Sequence, residues 1–168
     1  MAIIHLLDDD PAVTRACAFL LESLGYEAVC WEEGERFLAQ ADLYQVGVVL
    51  LDMRMPVLDG QAVHEALRQR GSTLAVVFLT GHGDVPMAVE EMKRGAVDFL
   101  QKPVSLKPLQ AALEHGLTVS GERFAQKKVV DCYQQLTPKE RELALLVMKG
   151  LMNREIAQAM SIAVRTVE

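Results

Sequence analysis

Five acidic, hydroxyl and basic side chains in this sequence stand where they could do chemistry together: Asp8 and Asp9, Asp52, Thr80 and Lys102. Each follows a short apolar run, namely Ile3–Leu7, Val46–Leu51, Ala75–Leu79 or Val97–Leu100. Short runs of Val, Ile and Leu bounded by turn residues read as strands buried on both faces of a parallel sheet. Open parallel sheets place their ligand sites beyond the carboxyl ends of the strands. Gathered there, three carboxylates would repel, and a divalent cation would relieve that repulsion. A ligand set made only of oxygens selects a hard ion, Mg²⁺, which keeps several waters. A metal-bound carboxylate beside an ammonium and a hydroxyl suits a phosphoryl group, whose transfer depends on positioning and charge neutralisation. Asp52 would be the nucleophile, because carboxylates form aspartyl-phosphates.

Taken singly, these residues have plainer readings. Asp52 could cap the next helix, although Pro56 keeps Met55 extended and delays that helix. A lone Lys102 reads as a solvated surface lysine, Thr80 as a strand-end hydroxyl and Phe99 as core. Asp10 is expected to cap the first helix rather than to bind metal. The histidines at 5, 64, 82 and 115 show no ligand spacing and are assigned structural or surface roles.

The elements that must position the group alternate regularly. After Ile3–Leu7, Pro11 opens a helix with Val13, Cys17, Leu20, Leu21 and Leu24 at helical spacing, stopped by Gly25. A strand over Ala28–Trp31, a short helix near Glu35–Ala41 and the Val46–Leu51 strand follow. A helix then runs from the Asp59-Gly60 turn to Gly71, the Ala75–Leu79 strand comes next, and Pro86 opens a helix through Met92. After Val97–Leu100, Ser105 precedes a last helix carrying Leu106, Leu109, Leu113 and Leu117. Five strand–helix units predict an α/β fold with a parallel sheet, helices on both faces and right-handed crossovers. The flavodoxin-like strand order 2-1-3-4-5 would bring all four strand ends to one cleft, but sequence alone does not fix that order.

From Ser120 to Gln135 the chain turns polar and reads as a linker or an extension of the last helix. Thr137, Pro138 and Glu140 then form a capping-box pattern ahead of Leu143, Leu146 and Val147. A further helix is expected over Asn153–Met160, and another begins near Ser161 or Ala163. The formal charge of −6 is unevenly spread. Residues 1–120 carry 9 Lys/Arg against 17 Asp/Glu, a net −8, and residues 121–168 carry 8 against 6, a net +2. An acidic front and a mildly basic tail suggest two modules with different partners. Three cysteines without a paired motif read as reduced, mostly buried thiols of a cytoplasmic protein, and no stretch is apolar enough to span a membrane.

The motifs Leu7-Asp8-Asp9, Leu51-Asp52-Met53-Arg54-Met55-Pro56, Thr80-Gly81-His82-Gly83-Asp84-Val85-Pro86-Met87-Ala88 and Phe99-Leu100-Gln101-Lys102-Pro103 resemble, in order and spacing, the receiver domain of two-component response regulators. The stretch from Thr80 looks most like the FixJ subgroup. Leu136–Glu142, Asn153–Ala157 and Arg165–Glu168 resemble the start of a LuxR-type (NarL-like) helix-turn-helix domain. The resemblance implies a CheY-like (βα)5 receiver over residues 1–118, a linker over 119–135 and a partial helix-turn-helix module over 136–168.

It also implies roles. Asp52 would be phosphorylated by a histidine kinase. Asp8, Asp9 and Asp52 would hold Mg²⁺ with the Arg54 backbone carbonyl, and Thr80 and Lys102 would bind phosphoryl oxygens. Thr80 and Phe99 would form the switch, and the Lys102–Pro103 bond would be cis. The fourth helix and fifth strand would form a phosphorylation-dependent homodimer face. Promoter DNA would be contacted by Arg165, Thr166 and Glu168, and RNA polymerase is a further partner such a regulator could meet. Glu168 falls near the first base-facing position, so this chain is expected to bind its operator poorly.

Two other readings stand beside this one. Asp8-Asp9-Asp10 resembles the opening of haloacid-dehalogenase-type phosphatases, with Asp8 as nucleophile and Asp10 as acid/base. Ala12 departs from that pattern, and no downstream acidic pair is present. The third reading is a regulator that works by protein contacts without phosphate, against which the complete acidic, hydroxyl and lysine set speaks.

Overall fold

The computed structural model describes residues 2–81 and 83–148. The helices expected beyond Gly150 lie outside the described residues, as do His82, Arg165, Thr166 and Glu168. The first unit, residues 1–125, alternates β1 (Ile3–Leu7), α1 (Pro11–Ser23), β2 (Glu27–Trp31), α2 (Gly34–Gln40), β3 (Gly47–Asp52), α3 (Gly60–Gln69), β4 (Ala75–Thr80), α4 (Val85–Lys93) and β5 (Asp98–Gln101), and then enters α5 (Leu106–Gln134). The five strands form one parallel sheet in the order β2-β1-β3-β4-β5. This is the order that brings the ends of β1, β3, β4 and β5 together.

The apolar runs are continuous because both faces of the sheet are covered. Side chains alternate across the pleat. Leu6, Val48, Leu50 and Val77 meet α1 and α5 through Cys17, Leu21, Leu109 and Leu113. Leu7, Val49, Leu51 and Phe78 meet α2 and α3 through Phe37, Val63 and Leu67. Every residue of β3 and β4 is buried. Burying each of their Val, Leu and Phe side chains contributes about 1.5–3 kcal/mol. This drives the sheet together and fixes which residues stand at its carboxyl edge.

Helix starts are fixed by aspartates. The Asp10 carboxylate accepts from the Ala12 N–H at 2.9 Å with Pro11 at the first helical position, and Asp59 accepts from Ala62 N–H at 2.9 Å. Such caps are worth about 1 kcal/mol each. Between Asp52 and Asp59 the loop contains Val57, with φ of 68° and 93% of its surface exposed. A β-branched residue in the left-handed region is strained, by roughly 1–2 kcal/mol. Gly60 follows, and a Cβ there would overlap the Asp52 carbonyl oxygen. A residue without a side chain is therefore required where α3 starts against the end of β3.

The polar stretch read as a linker is helical through Gln134. Ser120 is fully buried: its hydroxyl donates to Thr73 O at 2.6 Å and accepts from Gly47 N–H at 3.0 Å. Arg123 donates to Leu74 O and Gly95 O. Hydropathy missed this because the contact is made by hydrogen bonds. In the second unit, residues 126–168, α6 (Pro138–Met148) begins with the expected capping box. Thr137 N–H donates to Glu140 Oε1 at 2.9 Å and Glu140 N–H donates to Thr137 Oγ1 at 3.2 Å. The cysteines differ from expectation. Only Cys17 is buried; Cys30 lies exposed on edge strand β2 and Cys132 on the surface of α5. Among the described residues, no helix is long and apolar enough to cross a membrane.

Two outcomes follow for chemical denaturation. Ser120→Ala leaves a buried N–H and a buried carbonyl without that hydroxyl and should lower unfolding free energy by about 1–3 kcal/mol. Val57→Gly relieves the left-handed backbone and should raise it by roughly 1 kcal/mol. A neutral Ser120→Ala would exclude the bridging hydroxyl as a stabilising contact, and a neutral Val57→Gly would exclude backbone strain at that turn.

Candidate functional site

Four strand ends carry the site. Asp8 follows β1, Asp52 ends β3, Thr80 ends β4, and Lys102 follows β5. One carboxylate oxygen from each of Asp8, Asp9 and Asp52 lies within 4.8 Å of the others. Asp8 and Asp52 are buried and Asp9 is exposed, so the cluster opens to solvent on the Asp9 side. The Lys102 ammonium stands between the two buried carboxylates, 2.9 Å from Asp8 Oδ2 and 3.1 Å from Asp52 Oδ1. Asp8 Oδ1 accepts the Asp10 N–H at 2.9 Å. Asp8 Oδ2 is buried and makes no hydrogen bond of good angle, although it lies close to the ammonium. It is held by charge rather than by a directed bond.

The electrostatics follow from this crowding. Burial pushes the Asp52 carboxyl up to about 6, Asp8's negative charge adds to that, and Lys102 and the Arg54 N–H pull the other way. For Lys102, burial pulls the ammonium's pKa down, but contact with Asp8 and Asp52 outweighs it and the net direction is upward. One cation therefore faces three carboxylates. An all-oxygen donor set with an undirected buried oxygen and excess negative charge is chemically suited to a hard divalent cation.

Thr80 is fully buried, and its hydroxyl donates to Leu100 O at 3.3 Å, which ties it to β5. Lys102 N–H donates to Thr80 O at 2.8 Å. Phe99 pairs in register with Phe78 and packs, half-buried, on the α2–α3 side of the sheet. The Lys102–Pro103 bond is cis. The geometry thus gathers Asp8, Asp9, Asp52 and Lys102, and places Thr80 and Phe99 on the two adjacent strands.

Arg54, singled out in the sequence for its carbonyl alone, also contributes its side chain. Its Nε donates to Asp84 Oδ1 at 2.7 Å, joining the β3–α3 loop to the β4–α4 loop. Asp84 is buried and makes no side-chain cap on α4, because its carboxylate is turned to Arg54. No spacing rule links residues thirty apart, so this clasp was not legible. Asp10, by contrast, caps α1 as expected.

Comparison with known proteins agrees with this geometry. Residues 4–114 match the response regulator receiver domain, and residues 134–168 match the bacterial regulatory proteins of the luxR family. The chain is 80% identical over 168 residues to the tetrathionate response regulatory protein TtrR of Salmonella typhimurium, covering all of this chain and 82% of that protein. It is 38% identical over 169 residues to the transcriptional regulatory protein FixJ of Azorhizobium caulinodans, covering 98% of this chain and 80% of that one. Among solved structures, response regulator StyR aligns with a TM-score of 0.75 at 36% identity over 99% of this chain and 86% of its own. Full-length FixJ from B. japonicum aligns with a TM-score of 0.65 at 33% identity over 99% and 84%. The chain belongs to the two-component response regulators, as a transcriptional regulator with a CheY-like receiver domain followed by a LuxR-type DNA-binding segment.

Proposed function

We propose that Asp52 is the phosphoacceptor of this regulator and that Lys102, Thr80, Asp8 and Asp9 complete its site. The observation that carries the reading is the Lys102 ammonium within 3.1 Å of both Asp8 and Asp52, with an Asp9 oxygen within 4.8 Å of theirs. An Asp52 oxygen attacks the phosphorus of a phosphohistidine on the partner kinase. The new P–O bond forms as the P–N bond breaks, and the histidine nitrogen leaves with the electron pair. Asp8, Asp9, Asp52 and the Arg54 carbonyl would hold Mg²⁺, which would neutralise charge on the phosphoryl oxygens. Lys102 supplies a fixed cation opposite, and the Thr80 hydroxyl exchanges its bond to Leu100 O for a phosphoryl oxygen. Phe99, on the neighbouring strand, follows that movement.

The domain arrangement we favour is a receiver over 1–118, a connecting segment over 119–135 and a helix-turn-helix module over 136–168. Phosphorylation populates a pre-existing arrangement in which two copies pair through α4 and β5. Two output modules then reach promoter DNA, with Arg165, Thr166 and Glu168 facing it, and RNA polymerase is the machinery they would influence. The 80% identity with a protein named for a tetrathionate response supports tetrathionate as the stimulus upstream of the kinase. The phosphatase reading is weakened because Asp10, its acid/base candidate, is exposed and caps α1.

Acetyl phosphate with Mg²⁺ should add one phosphoryl group to the wild type by intact mass, and neither EDTA-treated protein nor Asp52→Asn should gain it. A phosphoryl group found on another residue of Asp52→Asn would remove Asp52 from the role. In chelator, Asp52→Asn should be more stable than wild type by roughly 1–2 kcal/mol above pH 7, because an ionised, buried carboxylate has been removed. That advantage should fade as pH falls through about 6 toward 4, where the folded wild type protonates Asp52. Urea denaturation at several pH values reads it directly.

A further inference from the structure

Helix α4 is attached to the receiver in an unusual way. The two of its residues that are buried are Ala88 and Glu91, whereas Val89 and Met92 are exposed. Ala88, the partly buried Met87 and a buried carboxylate therefore anchor it, in contrast to the Val63 and Leu67 ridge of α3. Glu91 is 1% exposed, and its Oε2 lies 2.6 Å from Nδ1 of His64 on α3, itself 2% exposed. Its other oxygen accepts from Arg94 at 3.0 Å. The His64 pKa is lowered on balance: burial lowers it most, Glu91 offsets part of that, and the charges of Arg68 and Arg123 add to the lowering, which favours the neutral imidazole. The His64 and Phe78 rings meet in a T-shaped contact, centroids 5.5 Å apart at 76°. Phe78 lies two residues before Thr80 on β4, so it shares Thr80's face of the sheet. At its other end α4 starts from Asp84, which Arg54 holds from the loop after Asp52. Thus the two polar contacts that locate α4 lead back to β3 and β4, the strands bearing Asp52 and Thr80.

A buried carboxylate hydrogen-bonded to an imidazole adds little net stability, because desolvation offsets the attraction, but its directional bond allows only one placement of the groups that make it. Apolar contacts of similar size tolerate sliding. We infer that His64 and Glu91 are positioning residues that hold α4 in its resting place, and that this contact sets how far phosphorylation changes pairing between copies. The inference rests on the proposed α4–β5 pairing and deepens it. It assigns the threshold of the switch to a contact between two helices on one face of the sheet, away from the carboxylates.

The experiment measures the dimer dissociation constant of the full 168-residue chain by sedimentation, with and without beryllium fluoride and Mg²⁺. The two values give a response ratio for the wild type, for His64→Leu/Glu91→Leu and for Arg94→Ala. The double variant replaces the pair with apolar side chains of similar volume, so its thermal midpoint should be equal to or above that of wild type. Its response ratio should fall at least tenfold, through tighter pairing of the unmodified form. Arg94→Ala frees one Glu91 oxygen on a half-exposed residue, and the ratio should fall about threefold. A folded double variant with the wild-type ratio overturns the inference. Should the double variant fail to fold, an unchanged ratio in Arg94→Ala overturns it equally. A wild type that shows no response to beryllium fluoride defeats the pairing reading itself, and that result is distinct from a responsive wild type with unresponsive variants.

Discussion

One ammonium group set against several carboxylates is the constraint on which this receiver depends. Lys102 reaches Asp8 and Asp52 together, which is possible only if β1, β3 and β5 end at one level. The sheet satisfies that through register. Leu7 pairs with Leu51, and Asp52 with Leu79, so each apolar run terminates in step with its neighbours. Moving any of these strands by one residue would turn its buried face toward the wrong helix layer. The hydrophobic pattern thus enforces the charge geometry, and that geometry leaves more carboxylates than the one ammonium can balance.

Around that centre, aspartates do three different jobs according to what they touch. Asp10 and Asp59 accept backbone N–H groups and start helices. Asp84 turns from its helix to Arg54 and ties two loops together. Asp8 and Asp52 are left crowded in the interior, with one Asp8 oxygen unbonded. Residue type alone does not separate these roles. Separation comes from whether a free N–H, a guanidinium or another carboxylate lies within reach.

Much of the receiver was legible in the sequence because its strands are unbroken Val, Ile and Leu runs and its site residues follow them directly. Asp8, Asp52, Thr80 and Lys102 were singled out from that placement, and the structure brings Asp8, Asp52 and Lys102 together; the capping box at Thr137 was read from its spacing. Contacts made by polar atoms across long separations were not legible. Ser120 sits in a stretch that hydropathy marks as a connector, yet its hydroxyl joins β3 to the turn before β4. Glu91 and His64 look like ordinary surface polar residues of amphipathic helices, and only their mutual burial reveals the pair. Cys30 reads as a strand residue and therefore buried, but β2 is an edge strand and leaves it uncovered.

The turn at Val57 has a consequence for how such a chain can change. Valine and glycine codons differ by a single base, and glycine is the residue that adopts φ of 68° without strain. A gain in folding energy therefore lies one nucleotide away, at a side chain that is almost wholly in solvent and packs against little. That makes position 57 a ready global suppressor. Destabilising changes elsewhere in the receiver, including new side chains on its exposed helix faces, could be compensated there while the core is left as it is.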